Sequence, residues 1–231
     1  MKRPKRLVLW DIDGTLILGG HGGSRALRHY FLENYGWDFS TESLAVAGLT
    51  DQQIVRNIFH RFEYGPTQAE INGVLSAYTT ALENDSAALA ASRMLLGVPG
   101  ILHPPKECGE CFQGLLTGNT QSAARIKLQN HDLWKYFPFG AFGDEASERK
   151  DLVPIAWEKA SLYCGYQFTP KETWIVGDTP RDYLAGKAHS TRVALVSSNP
   201  IVNEKDLEEC QADLYLNSLA DYDAFWSAIW R

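Results

Sequence analysis

Short apolar runs alternate with helical patterns along most of the chain. Four of these runs are partly β-branched and are closed by Gly, Asp or Ser, which is typical of buried strands. They are LVLWDI at 7–12, CFQGLLTG at 111–118, TWIVGD at 173–178 and TRVALV at 191–196. Because strands that alternate with helices indicate parallel pairing, we expect an α/β fold with a doubly wound parallel sheet.

Helical patterns lie beside the later strands. QSAARIKLQNHDL follows the second strand, LVPIAWEKASLYCG precedes the third and PRDYLAGKAH follows it. Ligands of doubly wound sheets bind outside the carboxyl ends of the strands. Asp11, Thr117 and Asp178 each lie at such an end, so we expect them to converge.

Residues 18–96 differ from the rest of the chain, since their patterns are helical, the longest of them over 67–95, and none is a convincing strand. A segment of this length between the first two strands exceeds an ordinary crossover connection. We therefore predict an all-helical domain at 18–96, inserted into an α/β core of residues 1–17 and 97–231. GGHGG and LGVPG would be its flexible connections.

The end of the chain has an apolar stripe with helical spacing. Side chains at this spacing fall on one face of a helix, and we expect that face to dock on the core rather than on a partner. The stripe comprises Leu219, Tyr222, Phe225, Trp226, Ile229 and Trp230.

The composition fits a globular protein with a hydrophobic core. The chain has 231 residues, of which 45% are hydrophobic, and a net charge of -6. This acidic balance argues against a nucleic-acid-binding protein, which usually carries a basic patch. Too few apolar residues follow the basic start for a signal peptide, and no apolar run approaches the roughly 20 residues that span a bilayer. We therefore expect a cytoplasmic protein with neither a nucleic acid nor a membrane as partner.

The four cysteines do not form a recognisable metal site. Cys108 and Cys111 make a single C-x-x-C pair, whereas a structural zinc site usually takes two such pairs or one pair with spaced histidines. A thioredoxin-like pair would open a helix, but these two residues precede a predicted strand. We expect all four to be reduced, structural thiols.

Carboxylates follow the first and the third predicted strands. Asp11 and Asp13 are two residues apart, so their side chains can face one site, and Gly14 allows a sharp turn after them. Asp178 lies at the tip of the third strand and Asp182 follows four residues later, in the first turn of a helix. If these strands are neighbours, four carboxylates crowd one crevice.

Crowded carboxylates repel each other, so some of them must bind protons or share a cation. Hard oxygen ligands favour Mg²⁺, which typically joins a few carboxylates to a phosphate group. The alternative is that each aspartate only caps a helix or turn. That reading suits any one of them alone, but four at the tips of two strands favour a metal site.

The segment LLTGN at the end of the second strand predicts a site for an anion. Thr117 offers a hydroxyl group, and Gly118 and Asn119 can present backbone N–H groups just before a helix, where phosphate binds well. A plain helix cap formed by Asn119 or by Thr120 is compatible with this reading.

A cation before the next helix would complete such a site. Lys150, with Arg149 beside it, could neutralise a phosphoryl group and the nucleophile. Considered alone, Lys150 would be a solvated surface lysine.

These residues resemble the four motifs of the haloacid dehalogenase superfamily, in its phosphatase branch. The order and spacing fit across the whole core: Asp11-x-Asp13-Gly14-Thr15 is similar to the first motif, Leu116-Thr117-Gly118-Asn119 to the second, Lys150 to the third, and Gly177-Asp178-Thr179-Pro180-x-Asp182 to the fourth. The third match is the loosest, because the family often has Lys-Pro where this chain has Lys150-Asp151. Arg149 is therefore the second candidate for that role. The helical insertion resembles the cap of phosphoglycolate-phosphatase-like members.

The resemblance implies a phosphatase that acts on a small phosphate ester. Asp11 would be the nucleophile that forms an aspartyl-phosphate, and Asp13 would be the general acid and then the general base. Thr117 and Lys150 would hold the phosphoryl oxygens, with Gly118 and Asn119 in the same phosphate-binding loop.

The resemblance also implies a Mg²⁺ ion. Its ligands would be the Asp11 carboxylate, the Asp13 main-chain carbonyl and Asp178, with Asp182 nearby or in the outer shell.

Other members of the superfamily fit less well. Dehalogenases lack the second aspartate of the first motif, which is present here as Asp13. Phosphonatases use a cap lysine, yet no lysine occurs between Lys5 and Lys106. Sugar-phosphate mutases also rely on a cap lysine, so a phosphomutase or another phosphoryl transferase is a weaker alternative.

A receiver-type signalling domain and a degenerate binding module are minor alternatives. Receivers also gather acidic residues, a Thr and a Lys at strand ends, but this chain is nearly twice their usual size. Stable phosphorylation from acetyl phosphate without turnover would favour a receiver.

The inserted domain should choose the substrate, because a cap closes over the leaving group. His21, Arg25, the Gly48-Leu49-Thr50 turn and Arg56 are candidates for that contact. Each of them could equally be a surface or helix-capping residue, so the sequence does not identify the ester. It does not indicate the oligomeric state either.

Overall fold

The computed structural model describes residues 4–19, 22–40, 46–106, 109–197, 202 and 204–231. The strands are β1 (Lys5–Trp10), β2 (Ile17–Leu18), β3 (Arg93–Met94), β4 (Glu110–Leu116), β5 (Gly140–Ala141), β6 (Thr173–Gly177), β7 (Arg192–Val196) and β8 (Leu214–Leu216). The helices are α1 (Gly22–Tyr35), α2 (Asp51–Arg61), α3 (Gln68–Asn84), α4 (Ser86–Ala91), α5 (Gln121–Gln129), α6 (Leu152–Cys164), α7 (Pro180–Ala188), α8 (Glu204–Glu208) and α9 (Tyr222–Ile229).

Six strands form one parallel sheet in the order β5-β4-β1-β6-β7-β8. The chain moves outward from β1 in both directions, which makes β1 the point where the strand order reverses. Trp10, the last residue of β1, pairs with Leu115 on one side and with Val176 on the other. The carboxyl ends of these three strands therefore meet at one edge, where α/β proteins bind ligands.

Helices cover both faces of the sheet, which confirms the predicted α/β fold class. Successive side chains of β1 point to opposite faces. Leu7 and Leu9 join a cluster that includes α6 residues, whereas Val8 and Trp10 join a cluster with residues of α5 and α9. With both faces covered, β1 is a nearly continuous apolar strand.

Residues between β2 and β3 form the helical insertion, which has a hydrophobic cluster of its own. Phe31 lies at its centre and packs edge-to-face on Phe59, with ring centroids 4.9 Å apart. Trp37 stacks on Phe62 at 4.6 Å. Ala123 of α5 belongs to the same cluster, so the insertion rests on the helix that follows β4.

Several elements differ from the sequence-based expectation. The two-residue strands β2 and β3 pair antiparallel where the insertion leaves and rejoins the core, although no strand was expected within residues 18–96. The short strands β5 and β8 were not expected either. The single helical pattern predicted over 67–95 is divided at Asp85, which caps α4 by accepting a hydrogen bond from the Ala88 N–H.

The C-terminal stripe docks on the core, as expected. Phe225, Trp226 and Ile229 are buried, and the Phe225 ring lies 5.4 Å from that of Trp10. Tyr222 is exposed and Trp230 is partly buried. Among the described residues, none of the helices is both long and apolar enough to cross a membrane.

Candidate active site

Asp11 lies just beyond β1 and is almost fully buried, with 5% of its surface exposed. Its N–H donates a hydrogen bond to the carbonyl oxygen of Val176, 2.9 Å away, which fixes the end of β1 against β6. Burial raises the pKa of Asp11 to about 6, and the Arg149 guanidinium opposes that rise. Asp11 is therefore a carboxylate that is poorly solvated and held in one orientation.

The chain turns sharply after Asp11. Gly14 has a φ of +84°, a left-handed conformation that glycine adopts at little cost. The turn presents the hydroxyl of Thr15 to Asp178, and the Thr15 Oγ1 donates to the Asp178 Oδ1 over 3.1 Å. The turn after β1 and the turn after β6 are thus joined by a buried hydrogen bond.

Asp11, Asp178 and Asp182 form a buried acidic cluster. One carboxylate oxygen of each lies within 4.8 Å of the others, and Asp178 and Asp182 have no exposed surface. Asp182 also caps α7, because its Oδ2 accepts hydrogen bonds from the N–H and the hydroxyl of Thr179. Asp182 therefore caps α7 and also belongs to the acidic cluster.

Arg149 is the cation that contacts this cluster. Its Nη2 lies 2.9 Å from the Asp11 Oδ1 and 2.6 Å from the Asp182 Oδ1, and it donates to the Leu116 carbonyl oxygen over 3.0 Å. Burial alone would lower the pKa of Arg149, but the Asp11 and Asp182 carboxylates outweigh it and raise that pKa above its ordinary value.

Lys150 lies outside this set of contacts. Its side chain is 52% exposed, and its Nζ pairs with Glu148 at 2.7 Å. Its carbonyl oxygen lies 2.8 Å from the Nε2 of His189. Of the two neighbours between which the sequence left a choice, the structure places Arg149 against the carboxylates and Lys150 on the surface.

The loop after β4 forms the second wall of the site. Thr117 is fully buried, and its Oγ1 accepts hydrogen bonds from the backbone N–H and the side-chain Nδ2 of Asn119. Thr120 rather than Asn119 caps α5, since its hydroxyl accepts from the Ala123 N–H. The Gly118 carbonyl oxygen accepts from the N–H of Asp51, the first residue of α2.

Asp13 is the accessible carboxylate of the site, with 42% of its side chain exposed. Its Oδ2 accepts a hydrogen bond from the Asn119 Nδ2 and another from the Lys127 Nζ, both over 2.7 Å. Lys127 also donates to the Asn119 Oδ1 over 2.6 Å. Burial lowers the pKa of Lys127, and the charges of Asp13 and Asp51 more than reverse that effect.

The sequence interpretation missed Lys127 and Asp51. Lys127 is three residues after Ala124 and four after Ala123, both buried, so a charged residue stands on the apolar face of α5. That position was the available signal, because a lysine on a buried face needs a partner. Asp51 gave no comparable signal, since an aspartate in the first turn of a helix is ordinary.

The loop before α2 binds the helical insertion to the core. The Thr50 hydroxyl donates to the Ser147 carbonyl oxygen over 2.8 Å, and Arg181 donates to the Ala47 carbonyl oxygen over the same distance. The Asp51 Oδ2 accepts from the Thr120 N–H. Burial raises the pKa of Asp51 to about 6, and Lys127 opposes that rise.

The candidate cap residues lie in different surroundings. The turn at 48–50 contacts the core, since Gly48 approaches Thr179 and Thr50 reaches Ser147. Arg25 pairs with Asp85 at 2.9 Å, and Arg56 donates to Gln68, in exposed positions on the insertion. His21 lies outside the described residues.

The three described cysteines give no indication of a metal or redox site. Cys111, Cys164 and Cys210 are free, and burial raises the pKa of Cys111 to about 12, so that it stays a thiol. Cys108 lies outside the described residues.

The donor set of the acidic cluster fits a divalent cation. Asp11 and Asp182 share the Arg149 guanidinium, and Asp178 adds a third buried carboxylate to the same cluster. Among the described residues, the Asp182 Oδ1 has its ion pair with Arg149 but no hydrogen bond of good geometry. Hard oxygen ligands of this kind are the ones that Mg²⁺ prefers.

The comparisons with known proteins identify the family. The model of the haloacid dehalogenase-like hydrolases matches residues 8–196, and the chain belongs to that family. Among curated proteins, no match was found.

Solved structures share the whole fold at low identity. A predicted phosphatase from Clostridium acetobutylicum is 16% identical, with a TM-score of 0.74 over 97% of this chain and 99% of that one. A proposed β-phosphoglucomutase from Bacteroides vulgatus is 18% identical, with a TM-score of 0.72 over 99% and 90%. A predicted phosphoglycolate phosphatase from Haemophilus somnus is 17% identical, with a TM-score of 0.69 over 96% and 97%. At such identities the likeness concerns the fold.

Proposed function

We propose that the protein is a Mg²⁺-dependent phosphatase that hydrolyses a small phosphorylated metabolite. One observation carries the proposal: Asp11, Asp178 and Asp182 share a buried cluster with Arg149, while the more accessible Asp13 stands two residues after Asp11. A buried nucleophile beside a cation and an accessible acid suits phosphoryl transfer, in which positioning and charge neutralisation dominate.

Asp11 is the nucleophile in this proposal. One of its carboxylate oxygens attacks phosphorus, and the bond to the ester oxygen breaks. Arg149 takes the role that the third motif implies, because its guanidinium touches Asp11 and can neutralise the phosphoryl oxygens. Thr117 and the loop through Asn119 hold the same oxygens from the β4 side.

Asp13 transfers the protons. It protonates the leaving ester oxygen in the first step and takes a proton from the attacking water in the second, which frees inorganic phosphate and regenerates Asp11. The Asp11 carboxylate, the Asp13 main-chain carbonyl and Asp178 would hold Mg²⁺, with Asp182 beside them. The ion supplies charge stabilisation to the phosphoryl group.

The experiment measures release of inorganic phosphate from p-nitrophenyl phosphate in the presence of Mg²⁺. We expect activity that EDTA abolishes and that D11N abolishes, because an amide cannot replace the nucleophile. D223N, a substitution at an exposed residue of α9, is the matched control and should retain full activity. Full activity in D11N would refute the proposal.

A phosphomutase is the alternative, because the similar structure from Bacteroides vulgatus is described as a proposed β-phosphoglucomutase. The two activities differ in the final acceptor, which is water in one and a sugar hydroxyl in the other. Phosphorus NMR of reactions with sugar phosphates distinguishes them. Inorganic phosphate as the product supports the phosphatase, and an isomeric sugar phosphate supports the mutase.

A further inference from the structure

Lys127 is a charged residue in an unusual place. It lies on the buried face of α5, and 18% of its side chain is exposed. Of its three N–H bonds, one points to the Asp13 Oδ2 at 2.7 Å and another to the Asn119 Oδ1 at 2.6 Å. An ammonium group is costly to bury, so a site that keeps one needs it paired.

The three side chains form a closed triangle of hydrogen bonds. Asn119 accepts from Lys127 through its Oδ1 and donates to the Asp13 Oδ2 through its Nδ2. Both donors to Asp13 therefore engage the same oxygen, Oδ2. This arrangement restricts the rotation of the Asp13 carboxyl group and leaves Oδ1 without either of these donors.

The helical insertion contributes to the same arrangement. Asp51 begins α2, and its charge acts on Lys127 and Asp13. Its backbone N–H and its carboxylate both bind the loop after β4, through the Gly118 carbonyl oxygen and the Thr120 N–H. The insertion thus binds the loop that carries Asn119, one of the two hydrogen-bond acceptors of Lys127.

We propose that Lys127 is a positioning residue, which with Asn119 orients Asp13 toward the leaving group. This inference rests on the proposed phosphatase function and adds a residue that none of the four motifs contains. Its physical basis is orientation: a proton donor misplaced by about 1 Å can cost roughly 100-fold in rate.

The step that Lys127 supports is the first one. An Asp11 oxygen forms a bond to phosphorus as the bond from phosphorus to the ester oxygen breaks, and the ester oxygen takes the proton of the Asp13 carboxyl to leave as an alcohol. An aliphatic alkoxide needs this proton. The p-nitrophenolate anion does not, because p-nitrophenol is a much stronger acid than an aliphatic alcohol.

The test compares these two leaving groups in the full-length K127M variant. We expect kcat for glycerol 2-phosphate to fall roughly 100-fold, the lower bound of what a general acid contributes. The kcat for p-nitrophenyl phosphate should fall much less, and KM should stay nearly unchanged for both esters. K127R should recover part of the lost rate on glycerol 2-phosphate, since it restores a cation that donates hydrogen bonds.

K135M is the matched control, because Lys135 is an exposed lysine paired with Asp132, and it should change neither rate. K127Q, which removes the charge but keeps a donor, serves if K127M does not fold, and a smaller loss with the same selectivity for glycerol 2-phosphate is expected of it. Equal losses on both esters would overturn the inference by making Lys127 a structural residue. A raised KM for glycerol 2-phosphate with unchanged kcat would overturn it by making Lys127 a substrate contact. In both cases the wild-type release of phosphate would still stand, so the proposed function would survive.

Discussion

Arg149 contacts the acidic cluster through one end of its guanidinium group. A single nitrogen, Nη2, reaches Asp11, Asp182 and the Leu116 carbonyl oxygen, while the buried Nε makes no hydrogen bond with the described residues. Arginine is always charged, so it stays a cation beside these carboxylates. Arg149, which the sequence analysis gave as the second candidate for the third motif, is therefore the residue that contacts the acidic cluster.

The sequence could not decide between Arg149 and Lys150 for a geometric reason. Both lie in the 3₁₀ turn of Arg149–Asp151, where adjacent side chains point about 120° apart. One of two neighbours must then face the sheet while the other faces solvent. Which of them does so depends on the path of the chain from β5, and β5 itself was not expected.

We predict that R149M lowers kcat/KM for p-nitrophenyl phosphate by at least roughly 100-fold, because removing one donor to a developing charge typically has that effect. K150M, the neighbouring control, should stay within about twofold. Steady-state kinetics measure both. R149M also leaves buried carboxylates unpaired, which costs about 3–5 kcal/mol, so thermal unfolding must show that the variant is folded at the assay temperature. A larger loss in K150M than in R149M would contradict the assignment.

Among the elements, the long buried strands were predicted better than the short edge strands. LVLWDI and TWIVGD are continuous apolar runs because both faces of the sheet are covered, and such runs are visible in the sequence. Strands β5 and β2 have two residues each, too few for any periodicity to develop. The end of α3 at Asp85 was not predicted, because the apolar spacing continues beyond it into α4.

The loop from 46 to 50 is the element that holds the insertion against the core. Gly48 has a φ of +69°, and a Cβ added there would lie 2.6 Å from the Thr179 Oγ1. Gly36 has a similar φ of +71° but no atom within 4 Å of such a Cβ. Both glycines therefore have a left-handed backbone conformation, in which an alanine would be strained. They differ in whether the added methyl group would clash with a neighbouring residue.

We predict that G48A lowers kcat/KM by on the order of tenfold or more, because the added methyl group moves the loop and with it Asp51. G36A should lose about 1–2 kcal/mol of stability from backbone strain, yet keep its activity within about twofold. Kinetics and denaturant unfolding of both variants separate the two effects. Equal activity in the two variants would mean that the docking of this loop does not matter for catalysis.

Across the whole molecule, the site depends on strand order. Asp11 and Asp178 are far apart in sequence, and they meet because β1 and β6 are hydrogen-bonded neighbours. The alternation of strands and helices predicted that these residues lie at the same edge of a parallel sheet, but it left open whether the two strands are neighbours. The position of Asp51 could not be predicted in this way, because it depends on how the insertion packs on α5, and Lys127 gave only the signal of a lysine on a buried helix face.

If the acidic cluster binds a metal ion, metal binding should stabilise the folded protein against unfolding. Bringing Asp11, Asp178 and Asp182 together places like charges within 4.8 Å of each other, and Arg149 pairs with two of them, Asp11 and Asp182. A cation that binds the folded state but not the unfolded state adds about 2.7 kcal/mol at 100 times its Kd. For a chain of this size, that corresponds to a rise in Tm of roughly 5–10 °C.

We therefore predict that MgCl₂ raises the Tm of the wild-type protein in a concentration-dependent manner, and that EDTA reverses the rise. NaCl at matched ionic strength should have a much smaller effect, because buried charges are weakly screened. D178N keeps an acceptor for the Thr15 hydroxyl but removes one charge, so it should have little response to Mg²⁺, while D223N should respond like the wild type. Differential scanning calorimetry measures all of these. If D178N responded as strongly as the wild type, the ion would be binding elsewhere, and the cluster would be an ion-pair network rather than a metal site.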